Sequence, residues 1–82
     1  MSTATTEDRV IHLLSRMLGQ PPEQLRPDVD LVADLGIGSV DLLGLVAGIE
    51  EEFDIVFPGD ASAINQVRTI RELVALVEEY QG

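Results

Sequence analysis

Residues 34–55 read DLGIGSVDLLGLVAGIEEEFDI, a run that opens on glycines and closes on acids. Within it Leu42, Leu45, Val46, Ile49 and Phe53 recur at the spacing of one buried helix face, which predicts a helix from about Ser39 to Phe53. Gly36 and Gly38 interrupt the chain before it, and Phe57-Pro58-Gly59-Asp60 ends the region after it. Projected at about 100° per residue, a second stripe of Val40, Leu43 and Ala47 lies beside the core stripe. Beyond that lies a flank of Asp41, Gly44, Gly48, Glu51 and Glu52. A helix that is apolar past its buried face and then acidic has the character of a docking surface, with apolar contacts for affinity and carboxylates for steering. The alternative is that a loop or a short helix covers Val40 and Leu43.

Working outward, Val10, Leu13, Leu14, Met17 and Leu18 give residues 7–18 a helical period, with Thr5 or Thr6 as its start and Gly19 as its stop. Residues 20–37 contain Pro21, Pro22, Pro27 and Gly36, too many breakers for a long helix, although PPEQL suits one turn. Leu25, Val29, Leu31, Val32 and Leu35 are expected to pin this long loop to the core. Residues 60–65 suit a short helical turn. Thr69-Ile70-Arg71-Glu72 has the form of a capping box that opens a last helix through Leu73, Val74, Leu76, Val77 and Tyr80. Strand-like alternation is weak, and only residues 54–57 suit an extended segment. The expected fold is all-α: a small bundle of three main helices plus one short helix, with a long loop between the first and second helix and residues 1–82 forming a single domain.

The chain carries a net charge of −10, with five arginines and no lysine. Asp28, Asp30, Asp34, Asp41, Glu50, Glu51, Glu52, Asp54 and Asp60 fall between Arg26 and Arg68, so nine of the ten net negative charges sit in one central segment. Such a chain repels phosphate backbones and anionic lipid, which argues against nucleic-acid or membrane partners and for partners with basic patches. A solvated acidic face kept for solubility is the plainer reading. Without cysteine there is no disulfide framework, thiolate nucleophile or cysteine-ligated zinc. No apolar run approaches the roughly 18 residues of a membrane span, and MSTATTEDR lacks the features of a secretory signal. A soluble, cytoplasmic monomer is expected.

Four groups are candidates for chemistry. His12 lies two residues beyond Val10, off the buried stripe, and no histidine, cysteine or carboxylate spacing supports it as a base or metal ligand. Asp28, Asp30 and Asp34 alternate as in a calcium loop, but Ala33 stands where the turn needs glycine and Ser39 where a bidentate glutamate belongs, so no metal site is expected. Ser39 has neither an elbow motif nor a nearby base, so it is no catalytic nucleophile, and a first-turn or capping role suffices for it on local grounds. The stripe of Val40, Leu43 and Ala47 with its acidic flank remains as a contact surface.

Taken together, these residues resemble an acyl carrier protein over nearly the whole chain. The likeness centres on DLGIGSVDLL and on the helix that ends in EEEFDI. It implies a carrier rather than an enzyme, with no catalytic residues and with Ser39 holding a covalent 4′-phosphopantetheine arm added by a phosphopantetheinyl transferase from coenzyme A. The thiol of that arm would tether acyl intermediates as thioesters for fatty acid, polyketide or lipopeptide biosynthesis, in a specialised pathway more than a housekeeping one. Implied partners are that transferase, an acyl-loading ligase or transferase, and synthase or condensing enzymes with basic docking patches. Val40, Asp41, Leu43, Ala47, Glu50 and Glu51 are the expected partner contacts. The sequence departs from the family at Gly38, where an acid is usual, at Val40, where leucine is usual, and at Gly44, which often is a recognition glutamate. A peptidyl or aminoacyl carrier, or a helical adaptor in which Ser39 is only a cap, are the alternatives.

Overall fold

The computed structural model describes residues 5–57, 64 and 66–81. The expected all-α bundle is observed: among the described residues there are three helices, α1 (Thr6–Leu18), α2 (Ser39–Phe53) and α3 (Ile70–Gln81), and one 3-10 turn at Pro22–Gln24. Among the described residues there is no strand, only an isolated antiparallel bridge between Asp30 and Thr69. The short turn expected at residues 60–65 lies, Ile64 apart, outside the described residues. Residues 55–57 form no strand. Asp54 instead takes a left-handed conformation (φ 55°), tolerable for aspartate, and the Ile55 N–H turns back to the Glu50 carbonyl at 3.2 Å.

Local chemistry sets the helix ends. At α1 the Thr5 hydroxyl accepts from the Asp8 N–H (3.1 Å) while Asp8 accepts from the Thr5 N–H (3.3 Å), a reciprocal cap. Gly19, at φ 67°, stops α1 and returns its N–H to the Ser15 carbonyl at 2.9 Å. At α3, Thr69 accepts from the Glu72 N–H, and Glu72 accepts from both the Arg68 and Thr69 N–H groups.

Helix α1 packs against both α2 and α3. Val10, Leu14, Leu45, Ile49, Ile70, Leu73 and Val77 are fully shielded where the three meet. The long loop adds Leu25, Leu31 and Ile37 to this core, with Val29 and Leu35 half-buried. Its backbone lies along the entry to α3, with Leu31 N–H donating to the Arg68 carbonyl (2.7 Å), Ile70 N–H to Val29 (3.1 Å) and Arg71 N–H to Pro27 (2.8 Å). Two expected core residues stand outside. Val32 is 58% exposed because Asp30 folds residues 30–33 into a tight turn, accepting the Val32 and Ala33 N–H groups at 2.9 and 2.7 Å, which seats Leu31 inward and leaves Val32 outside. Met17 is 39% exposed because its neighbour on α2 is Gly44, which offers no side chain to cover it.

One polar cluster ties α1 to the far end of α2. Arg9 Nε lies 3.3 Å from Glu52 Oε2, the same guanidinium also donates to the Glu52 carbonyl, and it stacks 4.3 Å over the Phe53 ring. Arg16 reaches Glu52 Oε1 at 3.6 Å.

Candidate functional site

The approach to Ser39 is built by residues 30–38. Asp34 accepts from the Asp30 N–H at 2.8 Å, which closes the turn that Asp30 opens. Gly36 then takes φ 68°, a left-handed conformation that favours glycine, so that the Ile37 N–H reaches the Leu31 carbonyl at 3.0 Å and the Ile37 side chain enters the core. Two residues past that anchor, Ser39 opens α2 as its first helical residue and is exposed. Gly38 is the cap, and its N–H is held by Asp41 Oδ2 at 3.2 Å. The hydroxyl thus stands on a backbone fixed from both sides, buried Ile37 before it and a helical turn after it.

Nothing among the described residues activates that hydroxyl. Among the described residues no side chain hydrogen-bonds Ser39, and His12 points its Nδ1 at the Asp8 carbonyl of its own helix, 2.8 Å away. His12 is exposed, as its position off the buried stripe requires. Nor do the described residues gather three or more potential metal ligands. Asp30 and Asp34, which alternate as calcium ligands do, spend their oxygens on backbone N–H groups instead. The Ala33 N–H above all holds the Asp30 carboxyl below its ordinary pKa, and the Arg68 N–H does the same for Glu72.

The surface beside Ser39 is apolar, then acidic. Val40 is 80% exposed and Leu43 69% exposed, and Ala47 is open as well, so this stripe is not covered. Asp41 and Glu51 are exposed, and Asp41 also braces Gly38. Glu50 is half-buried, its Oε2 accepting the Phe57 N–H at 2.8 Å, which holds Phe57 in the core edge-on to Tyr80 with ring centroids 4.8 Å apart. Glu52, placed on the open flank by periodicity, is instead bound by Arg9 and Arg16. Sequence reasoning missed Ile37 as the anchor of the serine and Phe57 as the partner of Glu50. The signal for Ile37 was present, a single large aliphatic between two glycines.

The site suits a phosphodiester-linked arm. A Cβ added at Gly36 or Gly38 would meet nothing within 4 Å, so the hydroxyl is approached through open space. The N-terminal end of α2 adds a field that favours an anion. Residues 8–77 match the family described as phosphopantetheine attachment site, which sets the class: helical domains that receive this group covalently. An acyl carrier protein from Syntrophobacter fumaroxidans is 33% identical over 76 residues, 92% of this chain and 94% of the relative. One from Akkermansia muciniphila is 30% identical over 82 residues, all of both chains. Acyl carrier protein 3 from Ralstonia nicotianae is 32% identical over 78 residues, 95% of this chain and 87% of the relative. The chain belongs to the acyl carrier protein family, whose members are carriers for other enzymes and hold phosphopantetheine covalently.

Proposed function

We propose that Ser39 carries the arm and that residues 1–82 work as one cytoplasmic carrier domain serving a specialised fatty acid, polyketide or lipopeptide pathway. When attached, phosphopantetheine supplies a flexible tether ending in a thiol that holds acyl groups as thioesters. The chain's own residues hold and present it. Ile37 and the Gly38–Asp41 bond fix the height and direction of Ser39, and the bare approach at Gly36 and Gly38 leaves room for a transferase active site.

The partners are a phosphopantetheinyl transferase, an acyl-loading ligase or transferase, and synthase or condensing enzymes with basic patches. They meet Val40, Asp41, Leu43, Ala47 and Glu51, with Glu50 at the edge adding charge while its Oε2 stays on Phe57. The observation that carries this reading is the exposed, anchored and unactivated Ser39 at the mouth of an apolar and acidic helix. Co-expression with a broad-specificity phosphopantetheinyl transferase, followed by intact-protein and fragment mass spectrometry, tests it. One phosphopantetheinyl group on Ser39 is expected, absent from a Ser39→Ala variant that melts as the parent does. An unmodified wild-type protein, or an arm retained in Ser39→Ala, would overturn the assignment.

A further inference from the structure

Helices α1 and α3 open on the same kind of reciprocal cap, but only the second is wired to the serine. At α1, Thr5 and Asp8 bond each other at 3.1 and 3.3 Å, and among the described residues no hydrogen bond runs from that pair to residues 30–39. At α3, Glu72 Oε1 accepts the Thr69 N–H at 3.1 Å, as a cap requires, and also the Arg68 N–H at 2.8 Å, one bond more than the cap needs. That extra bond is the foremost cause of the lowered Glu72 pKa.

The Thr69 N–H and the Arg68 carbonyl belong to one peptide group. Glu72 holds it at the N–H, and the Leu31 N–H holds it at the oxygen, at 2.7 Å. The peptide group between Leu31 and Val32 is held in the same way, with Asp30 Oδ1 on its N–H at 2.9 Å and the Ile37 N–H on its oxygen at 3.0 Å. A carboxylate on the N–H of a peptide group polarises it and makes its oxygen a stronger acceptor. Each anion thus tightens the bond one step nearer the serine. Leu31 and Ile37 are both buried, so the path between α3 and Ser39 has no room to swing aside, and Ile37 lies two residues before Ser39.

Resting on the carrier reading above, we propose that Glu72 is a positioning residue for Ser39: from the start of another helix its carboxylate fixes, through the Arg68–Thr69 peptide, Leu31 and Ile37, the place of the serine hydroxyl during arm attachment. In that transfer the Ser39 oxygen bonds the phosphorus that bears pantetheine, the diphosphate bond of coenzyme A breaks, the nucleotide bisphosphate leaves and the hydroxyl proton passes to a base of the transferase. Glu72 lies on α3, away from the exposed face of α2. Its loss therefore leaves transferase binding intact and slows the transfer, since a displaced nucleophile costs rate. A cap serving α3 alone would act through the fraction of folded carrier, and fewer folded molecules raise the apparent KM instead.

The test compares wild type with Glu72→Ala, Glu72→Gln and Thr5→Ala. Amide hydrogen exchange and melting temperature are measured on the unmodified proteins, and kinetics with a broad-specificity phosphopantetheinyl transferase and coenzyme A. In Glu72→Ala the Leu31 and Ile37 amides are expected to exchange about fivefold faster, the share of one hydrogen bond, and kcat to fall about fivefold with KM unchanged. Glu72→Gln keeps an acceptor oxygen and should recover most of both. Thr5→Ala loses a cap of the same kind and should melt lower while its kcat and its Ile37 amide stay close to wild type. Unchanged Leu31 and Ile37 exchange in Glu72→Ala, a raised KM with kcat unchanged, or a kcat that falls equally in Thr5→Ala overturns the proposal and leaves the carrier assignment standing. Failure of wild type to be modified at all strikes the carrier assignment instead, and the exchange comparison, which needs no transferase, still decides whether Glu72 holds Ile37.

Discussion

Glu50 and Glu51 are adjacent in a run of three glutamates but have different surroundings, and alanine substitution separates them. Glu50 Oε2 accepts the Phe57 N–H at 2.8 Å from a half-buried position, whereas Glu51 is exposed. A hydrogen bond to a charged group contributes about 1.5–3 kcal/mol, and partial solvation puts this one at the lower end, about 1.5 kcal/mol. Both substitutions also remove a negative charge from the C-terminal end of α2, a gain of about 0.3–1 kcal/mol each, and both install a better helix former. Those gains are common to the two variants and cancel in their difference. Glu50→Ala is therefore expected to be about 1.5 kcal/mol less stable than Glu51→Ala, which for a urea m-value of about 1 kcal/mol/M, the low end of the usual range, separates their midpoints by about 1.5 M. The Phe57 amide should also exchange its hydrogen about tenfold faster in Glu50→Ala, and the edge-on contact of Phe57 with Tyr80 should loosen with it. Coincident midpoints, or a larger loss in Glu51→Ala, would refute the reasoning that one glutamate is a brace and the other is free.

Raising ionic strength from about 0.01 to 1 M shortens the Debye length from about 30 to 3 Å, so relief of repulsion among the central acids should raise the melting temperature, as should added magnesium; indifference to both would sink this account of the charge. Asp30 and Glu72 are held below their ordinary pKa values by backbone N–H groups, so the stability they add is present above the unfolded-state values, about pH 4, and is lost as pH falls through the folded-state ones. Melts between about pH 5 and pH 2 should show that loss, and a Asp30→Asn, Glu72→Gln double variant with an undiminished slope would count against it. Gly48→Val overpacks Leu13 and should cost about 1–3 kcal/mol in urea unfolding, whereas a neutral result would mean that Leu13 yields freely.

What the sequence made legible is what neighbouring residues decide. Gly19 as a stop, Thr69 with Glu72 as a reciprocal cap and the extent of α2 from Ser39 to Phe53 are set within a few residues, and each was readable. Ser39 stands out in the sequence through the resemblance carried by DLGIGSVDLL, since on local grounds a capping role suffices for it. What stayed hidden depends on distant chain segments. Nothing near Met17 shows that its neighbour across the interface will be a glycine 27 residues away, whereas Val32 is a local exception, turned outward by Asp30 two residues before it. The role of Glu52 is hidden likewise, since periodicity gives a direction but not the arginines that come to meet it from α1. The alternation of Asp30 and Asp34 was visible, but its purpose needed the turn geometry, in which both carboxylates serve backbone N–H groups.

The same geometry changes what the net charge means for recognition. Among the central acids, Asp30, Asp34, Asp41, Glu50 and Glu52 all accept hydrogen bonds from the protein itself. A carboxylate bound to N–H groups keeps its charge, so its long-range field still steers a basic partner. Its oxygens, however, are committed, and a direct ion pair with a partner has to compete with a cap, a turn or a helix brace. Among the described residues on the exposed face of α2, Glu51 accepts no such bond and can pair without disturbing the fold. On the proposed carrier reading the acidic segment would separate two tasks that composition alone merges: most of its charges would steer encounter while holding the loop and helix ends in place, and Glu51 with the exposed Val40, Leu43 and Ala47 would be left to supply contacts that discriminate between partners.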